Sequence, residues 1–125
     1  MENKKKILLV EDDVFIVDIY RTKLESEKFE VATAGNGMEA MSKLEKFIPD
    51  LILLDIVMPY MNGMDFLKEI KKDARFENIP VIMLSNLSDQ ERMDDAKKYG
   101  VKGYLIKSHF TPSEVVEKIN ILLSE

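Results

Sequence analysis

The stretch Leu51-Ile52-Leu53-Leu54-Asp55-Ile56-Val57-Met58-Pro59 decides how this chain is read. Leu51 to Leu54 form a continuous apolar run without polar alternation. That is the pattern of a strand covered on both faces, as in a parallel sheet. The run stops at Asp55, and a proline follows shortly after. A carboxylate taken out of water without partners is costly. Either Asp55 stands at the surface, or the strand serves to present it.

Similar short runs lie on either side: Ile7–Val10, Val31–Thr33, Val81–Leu84 and Tyr104–Ile106. Val31–Thr33 is the least apolar and is expected at an edge of the sheet. Between the runs the spacing turns helical. Ile16, Ile19, Tyr20 and Leu24 share one face, as do Ala40, Met41 and Leu44, then Phe66, Leu67 and Ile70, and finally Val115, Val116, Ile119, Leu122 and Leu123. Ser88 and Thr111 each precede a Glu by three residues, the spacing of a capping box, and Pro112 suits a first helical turn. Strand–helix alternation of this kind predicts an α/β fold, a doubly wound five-stranded parallel sheet with helices on both faces.

The 125 residues suit one domain, expected to run from residue 1 to residue 125 with no second domain. A net charge of −5 argues against direct nucleic-acid binding, which needs clustered Lys and Arg. With no Cys there is neither a disulfide framework nor a thiolate metal site. The basic N-terminus is followed by an apolar run, Ile7–Val10, too short for a signal peptide, and no run is long enough to span a membrane. A soluble cytoplasmic protein, away from membranes, is the expectation.

Parallel strands of one sheet end at a common edge, where ligands bind near the point at which strand order reverses. The residues following each run are therefore neighbours: Glu11, Asp12 and Asp13; Asp55; Ser85 and Asn86; Lys107. Singly, each has a bland explanation as a cap, a turn residue or a solvated charge. Together they gather like charges on one edge, which repel without a counter-ion. A hard divalent cation takes carboxylate oxygens. It would neutralise charge on a phosphoryl group, whose transfer depends on positioning and electrostatics. The set suits phosphoryl transfer to a carboxylate.

In ILLVEDD, LILLDIVMPYMNG, VIMLSN and GYLIK, in that order and at the usual separations, the chain resembles bacterial response-regulator receiver domains over essentially its full length. The resemblance implies a flavodoxin-like sheet of order 2-1-3-4-5, known from a chemotaxis receiver of this family. It implies Asp55 as phosphoacceptor. It also implies a Mg2+ site (Mn2+ as substitute) made by Glu11, Asp12, Asp55 and the main-chain carbonyl of Val57. Ser85 and Lys107 match the hydroxyl and lysine that contact the phosphoryl group. Tyr104 matches the aromatic that reorients when Ser85 is drawn to it. Asp13 matches a variable position and is read as the cap of the first helix. Pro59 and Gly63 match the turn after the acceptor strand.

Four positions depart from the pattern. Asn86 stands where the family usually has Ala or Gly, and either narrows access or contacts the phosphoryl group through its amide. Ser108 stands where many members have a proline, often after a cis bond. A cis bond before a non-proline residue costs about 2.5–4 kcal/mol, so trans is expected. Val57 and Leu87 are apolar where polar residues often flank the acceptor, which implies slow loss of the phosphoryl group. His109, the single histidine, is read as a loop residue.

The implied function is phosphorelay signalling rather than enzymatic turnover. A histidine kinase or phosphotransfer protein would supply the phosphoryl group. An unidentified downstream protein would read the face formed by the helix near Ser88, the strand at Tyr104 and the helix from Thr111. The chain would be a monomer, or a phosphorylation-dependent dimer through that face. Two other readings stand behind this one. A phosphohydrolase with an aspartyl nucleophile commonly carries a second Asp two residues on, where this chain has Val57. A pseudo-receiver that only binds proteins would lack an acceptor or metal residue.

Overall fold

The structure, a computed structural model, describes residues 4–124, so both ends of the expected 1–125 domain lie outside the described residues. The order of elements is β1 (Lys6–Val10), α1 (Val14–Ser26), β2 (Glu30–Ala34), α2 (Gly37–Leu44), β3 (Leu51–Leu54), α3 (Gly63–Lys71), β4 (Val81–Ser85), α4 (Gln90–Lys98), β5 (Gly103–Ile106) and α5 (Pro112–Leu123). All strand pairs are parallel, in the order β2-β1-β3-β4-β5. The expected doubly wound, flavodoxin-like α/β fold is the one observed, and β2 lies at an edge. Among the described residues no helix is long and apolar enough to cross a membrane.

The apolar runs lack alternation because both faces of the inner strands are covered. Leu8, Val10, Ile52, Leu54, Val81 and Met83 face one way, against Ala40, Leu44, Phe66, Leu67, Ile70 and Ala96. Ile7, Leu9, Leu51, Leu53, Ile82 and Leu84 face the other, against Tyr20, Leu24, Val115, Val116 and Ile119. Each such Leu or Ile contributes about 1.5–3 kcal/mol of transfer free energy when fully buried.

Two helical expectations need correction. Ile19 is 51% exposed. The stripe of α1 that meets the core passes through Val17, Tyr20 and Leu24, with Ile16 at its margin, which turns Ile19 outward. Ser88 does not cap α4. Asp89 does, accepting from the Arg92 backbone N–H, while its other oxygen takes the Arg92 guanidinium at 2.8 Å. A carboxylate is favoured at the positive end of a helix. The box at Thr111 forms as read: Thr111 accepts from the Glu114 N–H, and Glu114 accepts from the Thr111 N–H at 2.8 Å. Asp13 caps α1 through the N–H groups of Phe15 and Ile16.

Candidate functional site

The site grows from the pairing of β1 with β3. Val10 and Leu54 are register partners, and the Asp55 N–H donates to the Val10 carbonyl at 3.0 Å. The next residue of β1, Glu11, donates its N–H to the Ala34 carbonyl at 2.9 Å. Glu11 and Asp55 thus leave adjacent strand ends side by side, and both are buried. One Asp55 oxygen, Oδ1, accepts from the Ile56 N–H at 2.7 Å. Glu11 Oε2 accepts from the Asp13 N–H at 3.1 Å. Asp12 is exposed, yet one oxygen from each of Glu11, Asp12 and Asp55 lies within 4.8 Å of the others. Among the described residues this is the one cluster of potential metal ligands, and His109 is not part of it.

Lys107, just past β5, reaches across the sheet edge. Its Nζ donates to Glu11 Oε1 and, at 3.2 Å, to Asp55 Oδ2. Burial pushes the Glu11 carboxyl above its ordinary value, and Lys107 reverses this only in part. Burial would lower the Lys107 ammonium, but its hydrogen bond to Glu11 and the charge of Asp55 outweigh it and hold the group above its ordinary value. The donor set is hard oxygen throughout, which is what Mg2+ or Mn2+ accepts.

Ser85 is buried at the end of β4, where its Oγ accepts from the Leu87 N–H at 3.2 Å. The half-buried Tyr104 donates its hydroxyl to the Leu87 carbonyl at 2.6 Å, and burial raises its phenol above the usual value. Asn86 is exposed, and its Oδ1 accepts from the Ser108 N–H at 3.2 Å. Among the described residues every peptide bond is trans, the Lys107–Ser108 bond included. Lys107–His109 form a 3-10 turn. Leu87 leans on the core, whereas the Val57 side chain is 59% exposed.

The loop from Ile56 to Asn62 is gripped by two glycines. Gly63 donates its N–H to the Ile56 carbonyl at 2.9 Å, and a Cβ there would lie 1.9 Å from the Asp55 carbonyl oxygen. Gly37, at the start of α2, donates to the Met61 carbonyl at 2.7 Å, and a Cβ there would meet Met61 Cγ at 2.6 Å. Gly63 belongs to the motif read from the sequence. Gly37 does not, and its only signal is a glycine directly after the capping Asn36. Tyr60, in the same loop, has a left-handed φ of 66° that nothing in its local sequence announces.

Comparison with known proteins gives the family. A family model described as the response regulator receiver domain matches residues 7–120. The chain is 38% identical over 117 residues to chemotaxis protein CheY of Thermotoga maritima, covering 93% of this chain and 95% of that one. It is 36% identical over 121 residues to a probable transcriptional regulator ycf27 of Cyanophora paradoxa, covering 97% of this chain and 49% of that protein. The crystal structure of a CheY-like response regulator receiver domain protein from Methanospirillum hungatei superposes with a TM-score of 0.90 at 30% identity, covering 98% and 95% of the two chains. The chain thus spans about half the length of the transcriptional regulators it matches, and nearly all of the chemotaxis protein. It belongs to the family of response regulator receiver domains, the signalling modules of two-component systems.

Proposed function

We propose that the chain, as a single receiver domain over residues 1–125, accepts a phosphoryl group from a histidine kinase or phosphotransfer protein onto Asp55. The observation that carries this reading is the meeting of Glu11, Asp12 and Asp55 with one lysine bridging two of them. Asp55 supplies the attacking carboxylate oxygen. The phosphorus–nitrogen bond of the donor breaks, a phosphorus–oxygen bond to Asp55 forms, and the imidazole departs. Asp12 and Asp55 would hold Mg2+ directly, with Glu11 acting through water and the Val57 carbonyl completing the set. Such a cation neutralises charge on the incoming group. Lys107 and the Ser85 hydroxyl take the remaining phosphoryl oxygens.

Once Ser85 is drawn to the phosphoryl group, the loop carrying Leu87 shifts and the Tyr104 hydroxyl loses its present acceptor. That biases the face formed by α4, β5 and α5 between two conformations. A downstream protein, or a second copy of the chain, reads that face. No small-molecule turnover is involved, because Val57 offers no acid for a leaving group. The cytoplasm is the compartment in which a kinase would meet it.

The test is incubation with acetyl phosphate and Mg2+ followed by intact mass, beside Asp55→Asn. A single base-labile phosphoryl adduct on the wild type alone is expected. No adduct on either protein would leave a pure interaction module. Multiple turnover of a phosphate ester would point to a hydrolase.

A further inference from the structure

We propose that Asn86 is a positioning residue for phosphoryl capture, tying the loop of Ser85 to the turn of Lys107 so that hydroxyl and ammonium act as one unit. The proposal rests on the phosphoacceptor reading above and adds a residue to it.

Asn86 and Ser108 are the two site positions where the sequence leaves the family pattern of a small residue and a proline. They are 22 residues apart, and they are bonded to each other: the Ser108 N–H donates to Asn86 Oδ1 at 3.2 Å. Each is one peptide away from a group that would hold the phosphoryl oxygens. Ser85↔Ile106 is the last register pair of β4 and β5. The Asn86–Ser108 bond therefore continues the connection past the end of the sheet, through a side chain.

The two departures are mutually dependent. Lys107 begins a 3-10 turn. A residue before proline is pushed out of the helical region, so proline at 108 does not suit this turn. A non-proline residue there brings an N–H, and the opening N–H groups of a helical segment have no acceptor within it. Asn86 supplies that acceptor. Alanine or glycine at 86 would leave the N–H to water and the two loops untied. Because a backbone N–H donates, the bonded atom of Asn86 is its amide oxygen. Of the two readings of Asn86, contact with the phosphoryl group or restriction of access, neither is needed to explain why this residue stands here.

An exposed hydrogen bond adds little to stability, so the bond should matter to phosphoryl capture more than to folding. The experiment follows adduct formation from saturating acetyl phosphate and Mg2+ by intact mass, for wild type, Asn86→Ala and Ser108→Ala. Exchange of the Ser108 amide proton is followed by NMR, and Mg2+ affinity by calorimetry. Asn86→Ala should slow adduct formation about three- to tenfold, the effect of one positioning hydrogen bond, and deprotect the Ser108 amide. Its Tm and Mg2+ affinity should stay at wild-type values. Ser108→Ala keeps the N–H and should keep the rate. A wild-type rate in Asn86→Ala, or a loss of rate accompanied by an equal loss of Mg2+ affinity and Tm, overturns the tie alone. A wild type that takes no adduct overturns the phosphoacceptor reading, and the tie with it.

Discussion

The Lys107 ammonium lies between Glu11 and Asp55 and donates to an oxygen of each, 3.2 Å from Asp55. Two buried carboxylates share one cation there, and the Lys107 side chain is itself only 14% exposed. Lys107→Ala would leave both acids facing each other without it. The metal-free variant should lose about 1–3 kcal/mol, the penalty of a buried polar group stripped of its partner. Mg2+ binds the folded form and replaces the missing charge, so the loss should shrink when it is added. Urea midpoints with and without Mg2+ measure both quantities. An equal loss in the two buffers would contradict a shared electrostatic site.

Gly63 is required by a close approach rather than by its backbone angles. A Cβ there would sit 1.9 Å from the carbonyl oxygen of Asp55, and backbone cannot yield as a flexible side chain can. Gly63→Ala should therefore push the acceptor loop away from β3 and cost about 3 kcal/mol or more, in the range of overpacking at its upper end. Denaturant unfolding reads the cost, and acetyl phosphate labelling should fall with it. A variant as stable as wild type would show that the loop moves freely.

The central strands can be read from the chain because both of their faces are buried, so apolar residues run on without a break. The site can be read because parallel strands share an exit edge, which places Glu11, Asp55, Ser85 and Lys107 together by topology alone. Ile19 and Ser88 misled for local reasons. Periodicity alone does not say which shoulder of an apolar stripe a helix turns to solvent. A capping-box spacing at Ser88 competes with an acidic residue one place later that also holds Arg92. The Asn86–Ser108 bond and the grip of Gly37 on Met61 join distant segments, and no local pattern encodes such a pairing.

Tyr104 should mark the state of the switch. Its hydroxyl donates to the Leu87 carbonyl at 2.6 Å, at the outer end of the loop that begins with Ser85. Tyr104→Phe removes that bond and should destabilise the unphosphorylated protein by about 1 kcal/mol. If the proposed loop shift follows phosphorylation, its effect should be smaller in protein that carries the phosphoryl group. Thermal melts of the two forms decide this. An equal shift in both would mean that Tyr104 keeps its partner throughout.

The helix caps set an acid limit on stability. The Arg92 hydrogen bond holds the Asp89 carboxyl below its ordinary 3.8, and the Thr111 backbone N–H holds Glu114 below its ordinary 4.5. A carboxyl depressed in the folded state stabilises above its unfolded value, and that stability is lost as pH falls through the folded one. Asp89→Asn and Glu114→Gln should therefore melt below wild type at neutral pH and converge with it in acid. Ser88→Ala should follow wild type at every pH, since Asp89 is the cap. Melting curves across the acid range test all three. A neutral-pH loss in Ser88→Ala would restore the serine as cap.

On the proposed reading, Val57 should govern how long the signal lasts. It lies two residues past Asp55 and is 59% exposed, outside the core. An isopropyl group can neither orient a water for attack on the acyl phosphate nor take its proton. Leu87, the other apolar neighbour, packs against the core and offers no polar group in its place. The phosphoryl group on Asp55 should accordingly persist for minutes or longer in Mg2+ buffer. Val57→Gln places an amide two residues past the acceptor and should shorten that lifetime, while leaving the rate of phosphoryl gain close to wild type. Decay of the adduct, followed by intact mass after removal of acetyl phosphate, separates gain from loss. A wild-type half-life of seconds would show that water reaches the phosphorus without help from this position.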